Sequence, residues 1–222
     1  MSNRDIEKEK AVRKTLWIIG LALAVPAVAS AQDVPRIEVF GGYSYGSIRA
    51  YAANESLFGA GPGIVSLPRF GSNGWTGSAA VNATPWFAVV ADIGGLYATP
   101  TMNLGGTPNT IDMHEHNYLF GPRLSGRYGR WTIFGHGLFG EGHASVSAGG
   151  PEVQTPARIV NTEFAMIAGV GVDLTVYNRK RHTGGAGQEL AIRLGQIDWL
   201  RTNFLGSRQN NVRLSAGLVF RF

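Results

Sequence analysis

The feature that most constrains this chain is the alternation of side-chain character in its last eleven residues. Apolar residues occupy every second position, and mostly polar or small residues lie between them. The apolar set is Val212, Leu214, Ala216, Leu218, Phe220 and Phe222, and the intervening set is Arg213, Ser215, Gly217, Val219 and Arg221. Because successive side chains of a β-strand point to opposite faces, this pattern predicts a strand that separates two different environments.

The same alternation recurs from residue 36 onward and predicts an all-β protein of eight strands. The other clear segments lie at residues 37–45, 75–82, 87–97, 118–128, 163–176 and 190–194. The fifth strand, from Trp131 to about Ser145, cannot be oriented from the sequence, because its large apolar residues fall on both parities. Trp131, Ile133 and Phe139 lie on one parity, and Phe134 and Leu138 on the other.

Two positions are expected to disturb the regular pattern. After Gly195 the apolar residues change parity, which predicts a bulge or the end of the strand. Pro122 removes one hydrogen bond from the ladder of the fourth strand, so we expect it at a bulge or near a rim.

The composition excludes several classes of protein and several kinds of functional site. The 222 residues include 31 glycines and only 16% charged residues, which is too apolar for a disordered chain and too rich in glycine for a helix bundle. The chain contains no cysteine, which excludes a disulfide framework, a thiolate metal site and a cysteine nucleophile.

The N-terminal 31 residues have the pattern of an export signal. A basic stretch ending at Lys14 precedes an apolar run at residues 16–28, and small residues at Ala29 and Ala31 predict cleavage after Ala31. The expected organisation is a cleaved signal peptide at 1–31 and one barrel domain at 32–222. The remaining chain has 15 basic and 12 acidic residues, so its charge gives no reason to expect nucleic-acid binding.

The charged residues of the strands predict an unusual interior. Four acids and five arginines occupy the polar faces, namely Glu38, Asp92, Glu163 and Asp173 with Arg123, Arg127, Arg193, Arg213 and Arg221. In a narrow barrel with an apolar exterior these side chains would form an ion-paired network in the lumen, where water is scarce. The pattern therefore favours a closed, antiparallel, up-and-down, eight-stranded transmembrane β-barrel.

The connections and the aromatic residues agree with this fold. Short turns are expected at 84–86 and 129–130, with a longer one at 178–187, and long outer loops at 46–73, 99–115, 147–161 and 201–209. Aromatic residues near the predicted strand ends would form two interfacial girdles. They are Tyr43, Tyr45, Trp75, Trp86, Tyr97, Tyr118, Tyr128, Trp131 and Tyr177.

The closing segment Asn210–Phe222 and the early segment Ile37–Tyr45 resemble the small outer-membrane barrels of the OmpA-like and opacity-protein type. The resemblance extends over residues 36 to 222. It implies a bacterial outer-membrane location, contact with outer-membrane lipids, and recognition of Phe220 and Phe222 by the barrel-assembly machinery. It implies no catalytic residues and no cofactor.

Two short clusters contain residue types that could form a chemical site. His114, Glu115 and His116 offer too few ligands for a metal site, and we expect them in a solvated outer loop. His143 and Ser145 share a face of a strand, which allows a base-activated nucleophile as in lipid A deacylases, with Glu152 or Glu163 as the acid. The glycine-rich stretches 59–63 and 184–187 lack the residues of a phosphate-binding loop.

The sequence thus favours a monomeric outer-membrane barrel with a structural or surface-interaction role, no enzymatic activity and no large pore. Its outer loops would contact any external ligand. Three alternatives remain open at this point: a narrow channel for ions or small solutes, a lipid A-modifying enzyme, and a soluble secreted binding barrel.

Overall fold

The computed structural model describes residues 35–53, 64–104, 107–149, 158–179, 187–204 and 207–222, and the predicted signal peptide lies outside these ranges. All elements of the described residues are β-strands. They are β1 (Ile37–Ala53), β2 (Ile64–Asn82), β3 (Phe87–Ala98), β4 (Thr101–Leu104), β5 (Thr107–Tyr128), β6 (Trp131–Gly149), β7 (Arg158–Arg179), β8 (Gln188–Phe204) and β9 (Ser207–Arg221). In these ranges no helix is long and apolar enough to cross a membrane.

The strands close into a barrel. Each long strand pairs antiparallel with its neighbours in sequence, and β1 pairs with β9 to complete the circle. The short β4 extends the line of β3 after Thr99 and Pro100 and pairs with β5, as β3 does. The predicted closed, up-and-down barrel of eight strands is confirmed.

The C-terminal residue takes part in this closure. The Phe222 amide donates to the Ile37 carbonyl at 2.9 Å, and the Phe222 carbonyl accepts from the Arg36 amide at 2.7 Å. Closure therefore gives the last strand a hydrogen-bonded partner on both sides and leaves no free edge there.

Burial in this barrel is inverted relative to a water-soluble fold. Large apolar side chains such as Ile37, Trp75, Leu124 and Phe220 are exposed on the wall. The buried side chains include many polar and charged ones, together with a smaller apolar layer in the lumen. That layer consists of Ala80, Ala88, Val90, Leu119, Leu138, Ala165, Ile167 and Leu200.

The strands are longer than the sequence predicts. Strand occupies most of the expected outer loops at 46–73, 99–115 and 201–209, since β1 reaches Ala53 and β5 begins at Thr107, and it occupies both ends of the expected loop at 147–161. The hydrogen-bond ladder needs no apolar face to continue, so it extends beyond the point at which the alternation fades. These predicted loop boundaries were wrong.

The structure resolves the orientation of the strand that the sequence left open. In β6, Phe134 and Leu138 are buried in the lumen, while Trp131, Ile133 and Phe139 are exposed on the wall. The predicted bulge in β8 is also present, because the register with β9 shifts between Arg193 and Gln196. The extra residue turns Gln196 and Asp198 into the lumen.

Pro122 does not lie where it was expected. It is in the middle of β5, facing outward, and it keeps its place opposite Val89 of β3. On the other side, the ladder between β5 and β6 is interrupted between the pairs Phe120–Phe139 and Arg123–His136, with no change of register. A proline without an amide hydrogen is therefore accommodated by a local gap, not by a bulge or a rim.

Candidate functional site: the charged lumen

The end of the lumen near the tight turns is organised around Glu38. Its carboxylate lies 2.8 Å from an Arg123 nitrogen and 2.7 Å from an Arg127 nitrogen, and it accepts a 2.8 Å hydrogen bond from Asn82. Arg221 approaches the same carboxylate at 3.3 Å. Because these residues come from β1, β2, β5 and β9, one acid joins separate parts of the wall.

Asp173 binds two arginines, one of which is the Arg221 that also approaches Glu38. Its carboxylate oxygens lie 2.8 Å from Arg193 Nε and 2.7 Å from Arg221 Nη2. The Arg193 guanidinium lies between two rings, 4.0 Å from the centroid of Phe40 and 4.3 Å from that of Phe134. An arginine can stack in this way because its guanidinium is planar and weakly hydrated.

A third group crosses the lumen. The Arg213 guanidinium lies 2.8 Å from an Asp198 oxygen and 3.1 Å from an Asp92 oxygen. Asp198 also lies 2.9 Å from His136 Nε2 and accepts a 2.7 Å hydrogen bond from Gln196. The side chains of Arg213, Asp92 and Asp198 are all at most 2% exposed, so the ions are held away from bulk water.

Glycines on the inward face make room for these groups. A Cβ added to Gly169 would lie 2.0 Å from Asp198 Oδ1 and 2.6 Å from His136 Nε2. A Cβ on Gly171 would lie 2.3 Å from the Phe134 ring. The glycine-rich inner face is therefore what allows large charged and aromatic side chains to fill so narrow a barrel.

The structure brings eight of the nine predicted lumen residues into ion pairs: Glu38, Asp92, Arg123, Arg127, Asp173, Arg193, Arg213 and Arg221. Glu163 has the inward parity of β7, but it forms no ion pair among the described residues. Sequence reasoning missed Asp198, His136 and Glu189. The parity change after Gly195 was the available signal for Asp198.

The cluster of His114, Glu115 and His116 does not lie in a solvated outer loop, contrary to the prediction from its sequence. His114, Glu115 and His116 lie within β5, and their side chains alternate between the two faces. Glu115 is 3% exposed in the lumen, whereas His114 is exposed on the wall. Strand geometry thus separates the acid from the histidines, and no cluster that could hold a metal occurs in the described ranges.

His143 and Ser145 both have the outward parity of β6. His143 Nδ1 shares a 2.7 Å hydrogen bond with Thr162 Oγ1, and its Nε2 lies 3.9 Å from the Glu141 carboxylate. Of the acids considered for a triad, Glu163 has the inward parity of β7, and Glu152 lies outside the described residues. Glu163 is therefore on the wrong face to serve His143.

The aromatic residues form two groups on the outer wall. Trp86, Tyr128, Trp131 and Tyr177 lie near the tight turns, and Tyr43, Tyr45, Trp75, Tyr97 and Tyr118 lie towards the other end. Ten residues separate Tyr118 from Tyr128 in β5. At about 3.4 Å per residue and a strand tilt of about 40°, this separation is about 26 Å, close to the height of the apolar band in membrane barrels.

Comparison of the chain with protein-family models gives no match, and comparison with curated proteins gives none either. Solved structures are similar in fold. One is Ail, the attachment invasion locus protein of Yersinia pestis, whose structure was solved in complex with the heparin analogue sucrose octasulfate. Its TM-score is 0.51 and its sequence identity is 13%, and the match covers 83% of this chain and 99% of the Ail chain. Neisserial surface protein A matches with a TM-score of 0.51 and 12% identity over 87% of this chain and 100% of its own. The predicted resemblance is thereby confirmed for the fold, and this chain has the fold of the small eight-stranded outer-membrane barrels.

Proposed function

We propose that this protein is a bacterial outer-membrane barrel with a structural or surface-interaction role and a closed lumen. The observation that carries the proposal is the inverted burial. Arg213 and Arg221 are among the largest fully buried side chains, while Trp86, Leu124 and Ile133 are more than half exposed. Only a solvent of hydrocarbon makes such a wall favourable, and this argues against a soluble secreted barrel.

The orientation follows from the connections. Tight turns at Ala83–Trp86 and Gly129–Arg130 lie at one end, and in small outer-membrane barrels the short turns face the periplasm. The opposite end, formed by the long extensions of β1, β5 and β6, would then face the outside and contact external ligands. Export by the segment 1–31 and recognition of the outward-facing Phe220 and Phe222 by the assembly machinery belong to the same proposal.

The packing of the lumen favours a closed barrel over a narrow channel. The Arg213 ion pairs span the interior, and the apolar layer that includes Leu119, Leu138 and Leu200 lies in the same lumen. An eight-stranded barrel has an interior that side chains just fill. A path for ions would require these buried pairs to separate, which leaves charges without partners.

The first experiment compares unheated and boiled outer-membrane samples on an SDS gel after expression of the full-length gene. We expect a membrane-fraction band whose mobility changes on boiling, because the closed ladder resists detergent until heat breaks it. A soluble product without a heat shift would contradict the membrane location. Planar-bilayer recordings test the closed lumen separately, and steady conductance steps that change in Arg123→Gln or Arg213→Gln would favour a channel.

The lipid A-modifying alternative has a direct test. If the protein has no such activity, lipid A from cells that express the wild type and from cells that express Ser145→Ala has the same mass. A mass difference that depends on Ser145 would identify an enzyme.

A further inference from the structure

A group of basic and amide side chains lies on the outer wall of β8 and β9, at the end away from the tight turns. Arg201 is opposite Asn210, and Asn203 is opposite Arg208. They alternate with residues buried in the lumen, such as Thr202 and Gln209, so all four project outward. Opposite residues of an antiparallel pair have Cβ atoms about 5 Å apart, which makes this a compact group.

A third arginine reaches the same place from β2. Arg69 Nη2 donates a 3.1 Å hydrogen bond to the carbonyl oxygen of Asn210. The contact joins β2 to β9 across β1, which lies between them in the sheet. It lies beyond the last paired residues of β1 and β9, which are Ser47 and Val212. We call Arg69, Arg201, Asn203, Arg208 and Asn210 the arginine patch.

The arginine patch keeps its positive charge. Within the described ranges, none of its three guanidinium groups lies within 4.0 Å of a carboxylate. The acids Asp112 and Glu141 project outward from β5 and β6, and β7 lies between these strands and β8. Among the described residues at this end, the outward acids are thus separated from the three arginines, and an anion would be attracted to the arginine patch.

The wall below the arginine patch is apolar. Trp199 and Val212 face each other one step below Arg201 and Asn210, and Ile197 and Leu214 follow two residues further. All four are exposed, between 40% and 56% of their surface. A ligand that contacts both regions would need an anionic head above a hydrocarbon chain.

We propose that the arginine patch binds the phosphate groups of an outer-leaflet lipid whose acyl chains lie along Trp199, Val212, Ile197 and Leu214. Guanidinium groups bind phosphate through paired, charge-assisted hydrogen bonds, and the amides of Asn203 and Asn210 add donors between them. This inference rests on the proposed outer-membrane location, which places the patch just outside the aromatic band at the level of lipid headgroups.

The test uses the full chain folded in neutral detergent, with bis-phosphorylated lipid A and the same lipid without phosphates as probes. Native mass spectrometry gives the bound fraction of each. We expect the wild type to bind the phosphorylated lipid at least about tenfold more tightly, which is what the net gain of one charge-assisted hydrogen bond would give. The triple variant R69Q/R201Q/R208Q should lose this preference, and the single variant R208Q should lose part of it. The control R179Q, an exposed arginine at the other end of the barrel, should retain it.

Three outcomes would overturn the inference: equal binding of the two lipids by the wild type, an unchanged preference in the triple variant, or displacement of the lipid by an equal concentration of inorganic phosphate. The heat-dependent gel shift, measured on each variant, separates this inference from the proposed function. A wild type that shifts on boiling but shows no phosphate preference contradicts only the arginine patch. A wild type without any shift contradicts the membrane barrel itself.

Discussion

At the scale of single residues, the interior of this barrel depends on matching each charge with a partner and each large side chain with a small one. Arg213 has two acids within 3.1 Å, and Gly169 leaves the space that Asp198 and His136 occupy. Burying an ion is costly unless it is paired, so the arginines stabilise the fold only as members of complete groups. The same dependence makes single substitutions in the lumen informative.

The substitution Arg213→Gln should destabilise the barrel strongly. It leaves the buried carboxylates of Asp92 and Asp198 without their shared cation, and removal of one member of a buried ion pair costs about 3–5 kcal/mol. Urea unfolding from lipid vesicles measures the free energy of unfolding. Arg179→Gln, an exposed site, is the control and should change that free energy by at most about 0.5 kcal/mol. Equal effects of the two substitutions would contradict the importance of the pair.

Two glycines offer a second, matched comparison. Gly169→Ala should cost about 1–3 kcal/mol, because the new methyl group must displace the His136 and Asp198 side chains. Gly137→Ala adds the same methyl group on the outer wall of β6, where no atom lies within 4 Å, and should be close to neutral. Thermal gel-shift midpoints compare the two variants. A loss of stability in Gly137→Ala as large as in Gly169→Ala would refute the steric explanation.

At the scale of elements, β8 illustrates how one extra residue changes the chemistry of the interior. The register shift between Arg193 and Gln196 keeps both side chains in the lumen although they are three positions apart. Without the bulge, Asp198 would have the opposite parity and would face the hydrocarbon. A β-bulge is thus what allows one strand to supply Arg193 to Asp173 and Asp198 to Arg213.

Deletion of Leu194 tests this role of the bulge. The deletion brings Arg193 and Gln196 two positions apart, so that a regular strand without a bulge places Arg193, Gln196 and Asp198 on the lumen face together. We therefore expect the deletion variant to refold and to give a heat-modifiable band, because no charged side chain is turned to the lipid face. The control Gly195→Ala, whose new Cβ has no atom within 4 Å, should refold normally. Loss of the heat-modifiable band in the deletion variant, with normal refolding of Gly195→Ala, would contradict the assignment.

At the scale of the whole molecule, the barrel has two chemically different ends and a wall made for lipid. The tight turns and the inner aromatic group lie at one end, and the long strand extensions with the arginine patch lie at the other. The difference between the two ends predicts which end of the barrel faces the outside of the cell, in addition to the proposed location in the outer membrane. Lipids at one rim and external ligands above it would both meet the end formed by the extensions.

Cysteine labelling tests that direction, since the natural chain has no cysteine. Asp112→Cys, on the outer part of β5, should react with a membrane-impermeant maleimide on intact cells. Arg130→Cys, in a tight turn, should react only after the outer membrane is permeabilised. Both positions are exposed, so neither label depends on unfolding. The reverse pattern of labelling would mean that the barrel has the opposite orientation.

The all-β class, the number of long strands and the faces of most of them follow from local patterns in the amino-acid sequence. Each of these depends on a local requirement. A residue that faces the lipid must be apolar, whereas a residue that faces the lumen can be polar. Alternation along one segment therefore indicates which face each residue occupies. The alternation also separates the charged residues from the apolar ones, which is why it predicts a position in the lumen for Glu38, Asp173 and Arg221.

Which of those charges form ion pairs depends on how the strands close into the barrel. Arg213 and Asp92 are 121 positions apart and become neighbours only because the barrel closes with a particular register. The inward turn of Asp198 depends on a bulge, and the orientation of β6 depends on pairing with β5 and β7, since its own residues are apolar on both parities. Contacts across a closed sheet are set by register and closure, which are properties of the whole ladder and not of any one segment.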